Sequence, residues 1–196
     1  MSTHPLSILT PVFPQAECHP VVFLDRDDTL VPDLPYRNTP DGLTLFPNAA
    51  KGLKLLREND FRLILISNQS GLHRSRITEE QLMAIHRRME ELLAEEGVQL
   101  DAAFYCPHTP DEACNCRKPL PGMIQAASEN FSLDFKRACM MGDKKADIQL
   151  GIAAGITPIQ IQLPGRERIE GAEYAATDLL DAAQWFLKKF SSFLKR

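Results

Sequence analysis

Five short apolar runs, each stopping abruptly at polar or charged residues, constrain this chain more than any other feature. Residues 21–24 (Val-Val-Phe-Leu) stop at Asp25-Arg26-Asp27, and residues 61–66 stop at Ser67-Asn68. Residues 102–106 run into a loop of cysteines and a histidine, residues 138–141 stop at Gly142-Asp143, and residues 156–163 form the last run. Short, largely apolar runs of this kind read as strands covered on both faces. The stretches between them carry helical signals. Pro47 precedes Ala50, Leu53 and Leu56 at spacing three, Thr78 and Gln81 have the spacing of a capping box, and Gly97 and Gly155 stand where helices should stop. Further helices are expected at about 121–130, 146–154 and 179–190. Strands alternating with helices predict an α/β three-layer sandwich around a central five-stranded parallel, Rossmann-like sheet. No repeat or linker divides it. The expected organisation is an N-terminal extension over 1–20, extended or partly disordered, and one domain over 21–196.

In such sheets, sites form beyond the carboxyl ends of the strands. Asp25, Ser67, the Cys/His loop and Asp143 each follow a strand end directly, so residues more than a hundred positions apart converge on one rim. Other classes recede. The chain has 196 residues and a formal net charge of -4, with a pI of about 5.7, which gives no electrostatic footprint for nucleic acid. No run of roughly 18 apolar residues is present to cross a membrane. A monomer acting on a small molecule in a reducing compartment, the cytoplasm, is expected.

Asp25 and Asp27 sit two residues apart at a strand end. A lone pair of this kind is commonly a solvated turn, but Asp143 supplies a third carboxylate at a neighbouring strand end. Carboxylates crowded together need neutralising, and a divalent cation that prefers hard oxygen ligands, such as magnesium, is the usual solution.

These residues resemble the haloacid dehalogenase superfamily of phosphatases, whose pattern is a strand ending in Asp-x-Asp-x-Thr. Here it reads Asp25-Arg26-Asp27-Asp28-Thr29. Ser67 matches the family's hydroxyl residue after the second strand, Lys118 its lysine, and Asp143 its acidic group after the fourth strand, with Asp147 four positions on. The resemblance covers residues 21 to about 165. It implies that Asp25 is the nucleophile, forming an aspartyl-phosphate, and that Asp27 is the general acid and base. Ser67, Asn68 and Lys118 then hold the phosphoryl group. Magnesium is held by the Asp25 carboxylate, the Asp27 backbone carbonyl and the Asp143 carboxylate.

Cys106, His108, Cys114 and Cys116 give three thiols and an imidazole within eleven residues. That set closes a tetrahedral zinc site and leaves no position for a reacting water, so the zinc is expected to be structural. Arg117 and Lys118 follow the last ligand, and the zinc is expected to aim them into the site. Cys18 and Cys139 read as ordinary residues.

A zinc loop in a phosphatase without a large cap looks like the group holding the heptose-1,7-bisphosphate 7-phosphatases and the histidinol-phosphate phosphatases. By that resemblance Asp33, Tyr36, Arg117 and Lys144 contact substrate, a small phosphorylated metabolite such as a sugar bisphosphate. Asp28 departs from the glycine usual in this pattern, and Ser67 from a usual threonine. Five residues between His108 and Cys114 also suit a histidinol-phosphate phosphatase. Two further readings compete: a nucleic-acid 3'-phosphatase, which shares the aspartate motifs, and a zinc-stabilised binding protein with a degenerate site. His86 reads as a helix-face residue and His73 as a solvated loop residue.

Overall fold

Branched and aromatic residues at 21–24 build the centre of a sheet in the computed structural model, which describes residues 5–9 and 18–193. In chain order the strands are β1 (Leu6–Leu9), β2 (His19–Leu24), β3 (Arg62–Asn68), β4 (Ala102–Cys106), β5 (Leu133–Gly142), β6 (Thr157–Ile161) and β7 (Tyr174–Ala176). The helices are α1 (Ala49–Arg57), α2 (Glu79–Glu95), α3 (Gly122–Asn130), α4 (Lys145–Ala153) and α5 (Leu179–Phe193).

The sheet has seven strands in the order β1-β4-β3-β2-β5-β6-β7. All five expected strands are present and mutually parallel. The expectation of a five-stranded, wholly parallel sheet needs correcting at both edges. Strand β7 adds a sixth parallel member beside β6, and β1 pairs antiparallel with β4, Leu6 opposite Tyr105 and Leu9 opposite Ala102. Neither edge strand has the signature of a buried one. Leu-Ser-Ile-Leu is half-buried and half-exposed in alternation, and Tyr-Ala-Ala is three residues long with little branched character. The N-terminal segment is therefore partly sheet. The rest of the expected disordered leader, residues 1–4 and 10–17, lies outside the described residues.

Side chains alternate across the sheet as the period of two requires. Val22, Leu24, Leu63, Leu65, Cys139 and Met141 pack against α1, α2 and α5. Val21, Phe23, Ile64, Ile66, Ala138 and Met140 pack against α3 and α4 on the other face. Helix α2 begins on the expected capping box: Thr78 Oγ1 accepts from the Gln81 N–H at 3.2 Å, and Gln81 Oε1 accepts from the Thr78 N–H at 2.8 Å. Gly97 and Gly155 follow α2 and α4 in the left-handed region, at φ 74° and 68°, where a Cβ would be strained.

The chain runs outward from β2 through β3 to β4, then returns to the other side of β2 with β5. The carboxyl end of β2 is therefore the point where the strand order reverses, and in open parallel sheets ligands bind in the crevice there. Asp25 is the residue at that point.

Candidate active site

Asp25 follows β2 and is buried, its N–H donating to the Met141 carbonyl of β5 at 2.9 Å. Its Oδ1 lies 2.7 Å from Lys118 Nζ, and the same ammonium lies 2.7 Å from Asp147 Oδ1. Asp143, at the end of β5, completes a cluster in which one oxygen each of Asp25, Asp143 and Asp147 lies within 4.8 Å of the others. Residues 122 positions apart, Asp25 and Asp147, thus meet within contact distance of one ammonium.

Burial, the largest influence on the Asp25 carboxyl, pushes its pKa up, but Lys118 and Lys144 outweigh it and hold the group below the ordinary value. Lys118 is likewise opposed by burial, yet Asp147 and Asp25 hold it charged. Asp143 meets no buried lysine; the half-exposed Arg166 reaches its Oδ2 at 3.3 Å. Burial, reinforced by Asp25 and Asp147 against Lys144, pushes it up to about 7. Its Oδ1 is buried and accepts no hydrogen bond, with Lys144 Nζ at 3.8 Å. Three buried carboxylates against one buried lysine leave an excess of negative charge, and a divalent cation with oxygen preference would offset it. The donor set fits magnesium on that ground.

The backbone that carries Lys118 is fixed by Asn68. The Asn68 side chain donates to the Lys118 carbonyl at 3.1 Å and accepts from its N–H at 3.0 Å. Asn68, expected on the phosphate, thus spends its amide on the loop that presents Lys118. Ser67 is buried at the end of β3. Gln69 Nε2 donates both to Ser67 Oγ at 3.1 Å and to Asp27 Oδ2 at 2.8 Å. Arg26 grips Asp27 from behind, Nε to Oδ1 at 2.9 Å and Nη2 to Oδ2 at 3.0 Å. Asp27 is therefore oriented by a fork and an amide at once. Arg26 itself is buried, 5.9 Å from the centroid of the Tyr105 ring.

Gln69 and Arg26 were not among the expected site residues; Asp147, expected only as part of the acidic motif after the fourth strand, is the second partner of Lys118. An arginine between two aspartates and an amide two residues past a strand-end serine were the available signals. Asp147 needs Gly142, because a Cβ there would collide with the Asp147 carboxylate. Its Oδ2 also accepts from the Lys144 N–H at 2.9 Å, starting α4.

The expected substrate residues divide. Asp33, Tyr36 and Lys144 line a cavity of about 230 Å³ with Asp27, Asn68 and Gln69. Lys144 Nζ stands 3.9 Å from Asp33 Oδ2. Tyr36 adopts φ 55°, with Arg74 Nη1 3.4 Å from its hydroxyl and Arg76 stacked 5.7 Å from its ring centroid. Arg117 does not line that cavity; its Nη1 donates to the His108 carbonyl at 2.9 Å. The two histidines set aside also have partners. His86 is buried, Nδ1 2.8 Å from the Tyr105 hydroxyl and Nε2 3.2 Å from Glu90. His73 Nδ1 lies 3.0 Å from Glu112 Oε1, so it is paired rather than merely solvated.

Cys106, His108, Cys114 and Cys116 converge. Cys116 Sγ lies 3.3 Å from both Cys106 Sγ and His108 Nδ1, Cys106 Sγ 3.5 Å from His108 Nδ1 and 4.0 Å from Cys114 Sγ. Zn–S bonds of about 2.3 Å in a tetrahedron separate sulfurs by about 3.8 Å, and the sulfur separations of 3.3 and 4.0 Å bracket that value, so the donor set fits zinc.

Comparison with known proteins agrees with this arrangement. The family model described as polynucleotide kinase 3 phosphatase matches residues 20–187. A D-glycero-beta-D-manno-heptose-1,7-bisphosphate 7-phosphatase from Yersinia pestis is 36% identical over 170 residues, covering 83% of this chain and 90% of that protein. The same-named protein of Escherichia coli K12 is 33% identical over 174 residues, covering 85% and 91%. The solved structure of D,D-heptose 1.7-bisphosphate phosphatase from B. bronchiseptica, complexed with magnesium and phosphate, superposes with a TM-score of 0.76. It is 32% identical and covers 87% of this chain and 99% of that one. The strand-end aspartates, the lysine they share and these matches have one reading: the chain belongs to the polynucleotide kinase 3 phosphatase family, within the haloacid dehalogenase-like phosphatases.

Proposed function

We propose that this protein is a magnesium-dependent phosphomonoesterase that removes the 7-phosphate of D-glycero-D-manno-heptose 1,7-bisphosphate. The observation that carries the chemistry is the buried Asp25–Lys118–Asp147 contact beside Asp143 at the sheet's switch point. The names of the relatives at 33–37% identity carry the substrate. When bound, magnesium supplies charge compensation for the phosphoryl oxygens; the Asp25 and Asp143 carboxylates and the Asp27 carbonyl would hold it.

The Asp25 carboxylate attacks phosphorus in line, forming an aspartyl-phosphate as the bond to the sugar oxygen breaks. Asp27 gives its proton to that oxygen. Water then attacks the phosphorus of the aspartyl-phosphate, Asp27 takes the water's proton, and inorganic phosphate leaves a restored Asp25. Lys118 and Ser67 hold the phosphoryl oxygens, Gln69 keeps the acid beside Ser67, and Lys144 at the mouth meets the rest of an anionic substrate. Zinc on the Cys3His set is a structural fastener of the loop that presents Lys118. No described helix is long and apolar enough to cross a membrane.

A panel of heptose 1,7-bisphosphate, histidinol phosphate and a 3'-phosphorylated oligonucleotide, assayed for phosphate release with magnesium, tests the reading. Preference for the heptose by at least tenfold in kcat/KM is expected. Faster turnover of histidinol phosphate, which the short zinc loop would suit, or of the oligonucleotide would replace the substrate assignment. No turnover of any ester would favour a binding protein.

A further inference from the structure

Among the described residues, Arg166 is the basic side chain that joins the aspartate at position 28 to Oδ2 of the buried Asp143. It projects from the turn after β6, where its N–H donates to the Leu163 carbonyl at 3.1 Å and its carbonyl accepts from Gln162 Nε2 at 2.6 Å. The buried Gln160 holds the same turn by donating to the Glu167 carbonyl at 3.0 Å. The backbone that carries the arginine is therefore fixed, and its half-exposed side chain extends from that turn. Its Nη2 donates to Asp28 Oδ2 at 3.0 Å across 138 residues of sequence, and its Nη1 to Asp143 Oδ2 at 3.3 Å.

Asp28 sits in the left-handed region, φ 58°, which an aspartate tolerates better than most residues. Its Oδ1 accepts from the Asp33 N–H at 3.0 Å, so the carboxylate is oriented on one oxygen and presents the other to Arg166. Asp143 is arranged in the opposite sense: Oδ2 is taken by the guanidinium, while Oδ1 is buried and accepts no hydrogen bond.

We propose that Arg166, anchored by Asp28, is a positioning residue that ties down Asp143 Oδ2 so that Oδ1 is presented to the divalent cation. The guanidinium meets each carboxylate with a separate nitrogen, Nη2 on Asp28 and Nη1 on Asp143; a lysine ammonium would keep the charge but bring both onto a single nitrogen and lose the fixed fork. Groups that orient a metal-binding carboxylate typically govern affinity by about 10- to 100-fold. The idea rests on the magnesium reading above, and its test separates the two.

Magnesium binding is measured directly by calorimetry on the full chain, with Asp143→Asn as the reference for a lost site, and half-saturating magnesium for phosphate release is measured in parallel. Arg166→Gln is expected to weaken magnesium by about 10-fold, Arg166→Lys nearly as much, and Asp28→Asn several-fold. The double variant Arg166→Gln with Asp28→Asn should be no weaker than Arg166→Gln alone, since Asp28 acts through the arginine. If the arginine acted only as a charge, its removal beside a dication would tighten binding and lysine would restore the wild-type value; either result overturns the proposal, as does unchanged affinity. Identical titrations of wild type and Asp143→Asn would overturn the magnesium reading and this proposal with it.

Discussion

At the scale of single residues, the site works by dividing one resource, positive charge, unevenly among carboxylates. Lys118 serves Asp25 and Asp147 at 2.7 Å each, which keeps Asp25, the proposed nucleophile, ionised, while Asp143 is left with burial as its dominant influence and a pKa of about 7. Replacing Asp25 by Asn removes the nucleophile and keeps the shape. Turnover should fall at least 1,000-fold with an unchanged circular dichroism spectrum, and retained activity would refute the assignment. Asp143 gives a pH prediction with a definite sign. Below about 7 its carboxyl is protonated in the metal-free protein, so the cation must displace a proton, and magnesium affinity should weaken as pH falls. Between pH 8 and pH 6 the half-saturating magnesium concentration should rise by close to 10-fold, as one proton released per ion bound requires. A flat dependence would mean that Asp143 is already ionised without metal.

At the scale of elements, two connections determine whether these residues meet. The turn from β5 into α4 exists because Gly142 has no side chain and the Asp147 carboxylate occupies that space. Gly142→Ala should therefore cost about 1–3 kcal/mol by overpacking, read as a lowered denaturant midpoint, and reduce kcat by displacing Asp147 from Lys118. Wild-type stability and rate together would contradict that packing. The second connection is the Cys/His loop, whose last cysteine, Cys116, lies two residues before Lys118. Cys114→Ser should lower zinc content, measured by elemental analysis, from about one per chain towards zero, and lower activity with it. Zinc loss at full activity would sink the idea of a fastener for Lys118. These elements were largely legible in the sequence because each site residue is joined directly to a strand end or to a metal-ligand spacing. What stayed hidden was side-chain choice: nothing in the order of residues says that Asn68 would grip the Lys118 backbone, that Gln69 would span Ser67 and Asp27, or that Arg166 would answer Asp28 from 138 positions away. Those depend on distances between loops, which a local pattern does not encode.

At the scale of the whole molecule, the sheet places its chemistry at the centre and must then close its own margins. The centre was readable because strands covered on both faces are apolar throughout; the margins were not, because an edge strand with one partner needs only a half-apolar face, as in Leu-Ser-Ile-Leu. Strand β1 nonetheless has a physical task. It covers β4 from Ala102 to Tyr105, next to Cys106 and the zinc loop. Without it the outer backbone groups of β4 would lack partners, and an open edge of that kind recruits another strand. A chain lacking residues 1–9 should keep its fold, since among the described residues it loses only the partly buried Leu6 and Ile8 from the margin of a core centred on the buried residues of β2, β3 and β5. It should melt about 2–6 °C lower by calorimetry, and elute from size-exclusion chromatography with a concentration-dependent larger species. Activity at low protein concentration should persist, because β1 contributes no group to the site around Asp25. An unchanged melting temperature with a single monomeric peak would show that the β4 edge is protected by its own short length, and that β1 is an ornament of the sheet rather than its guard.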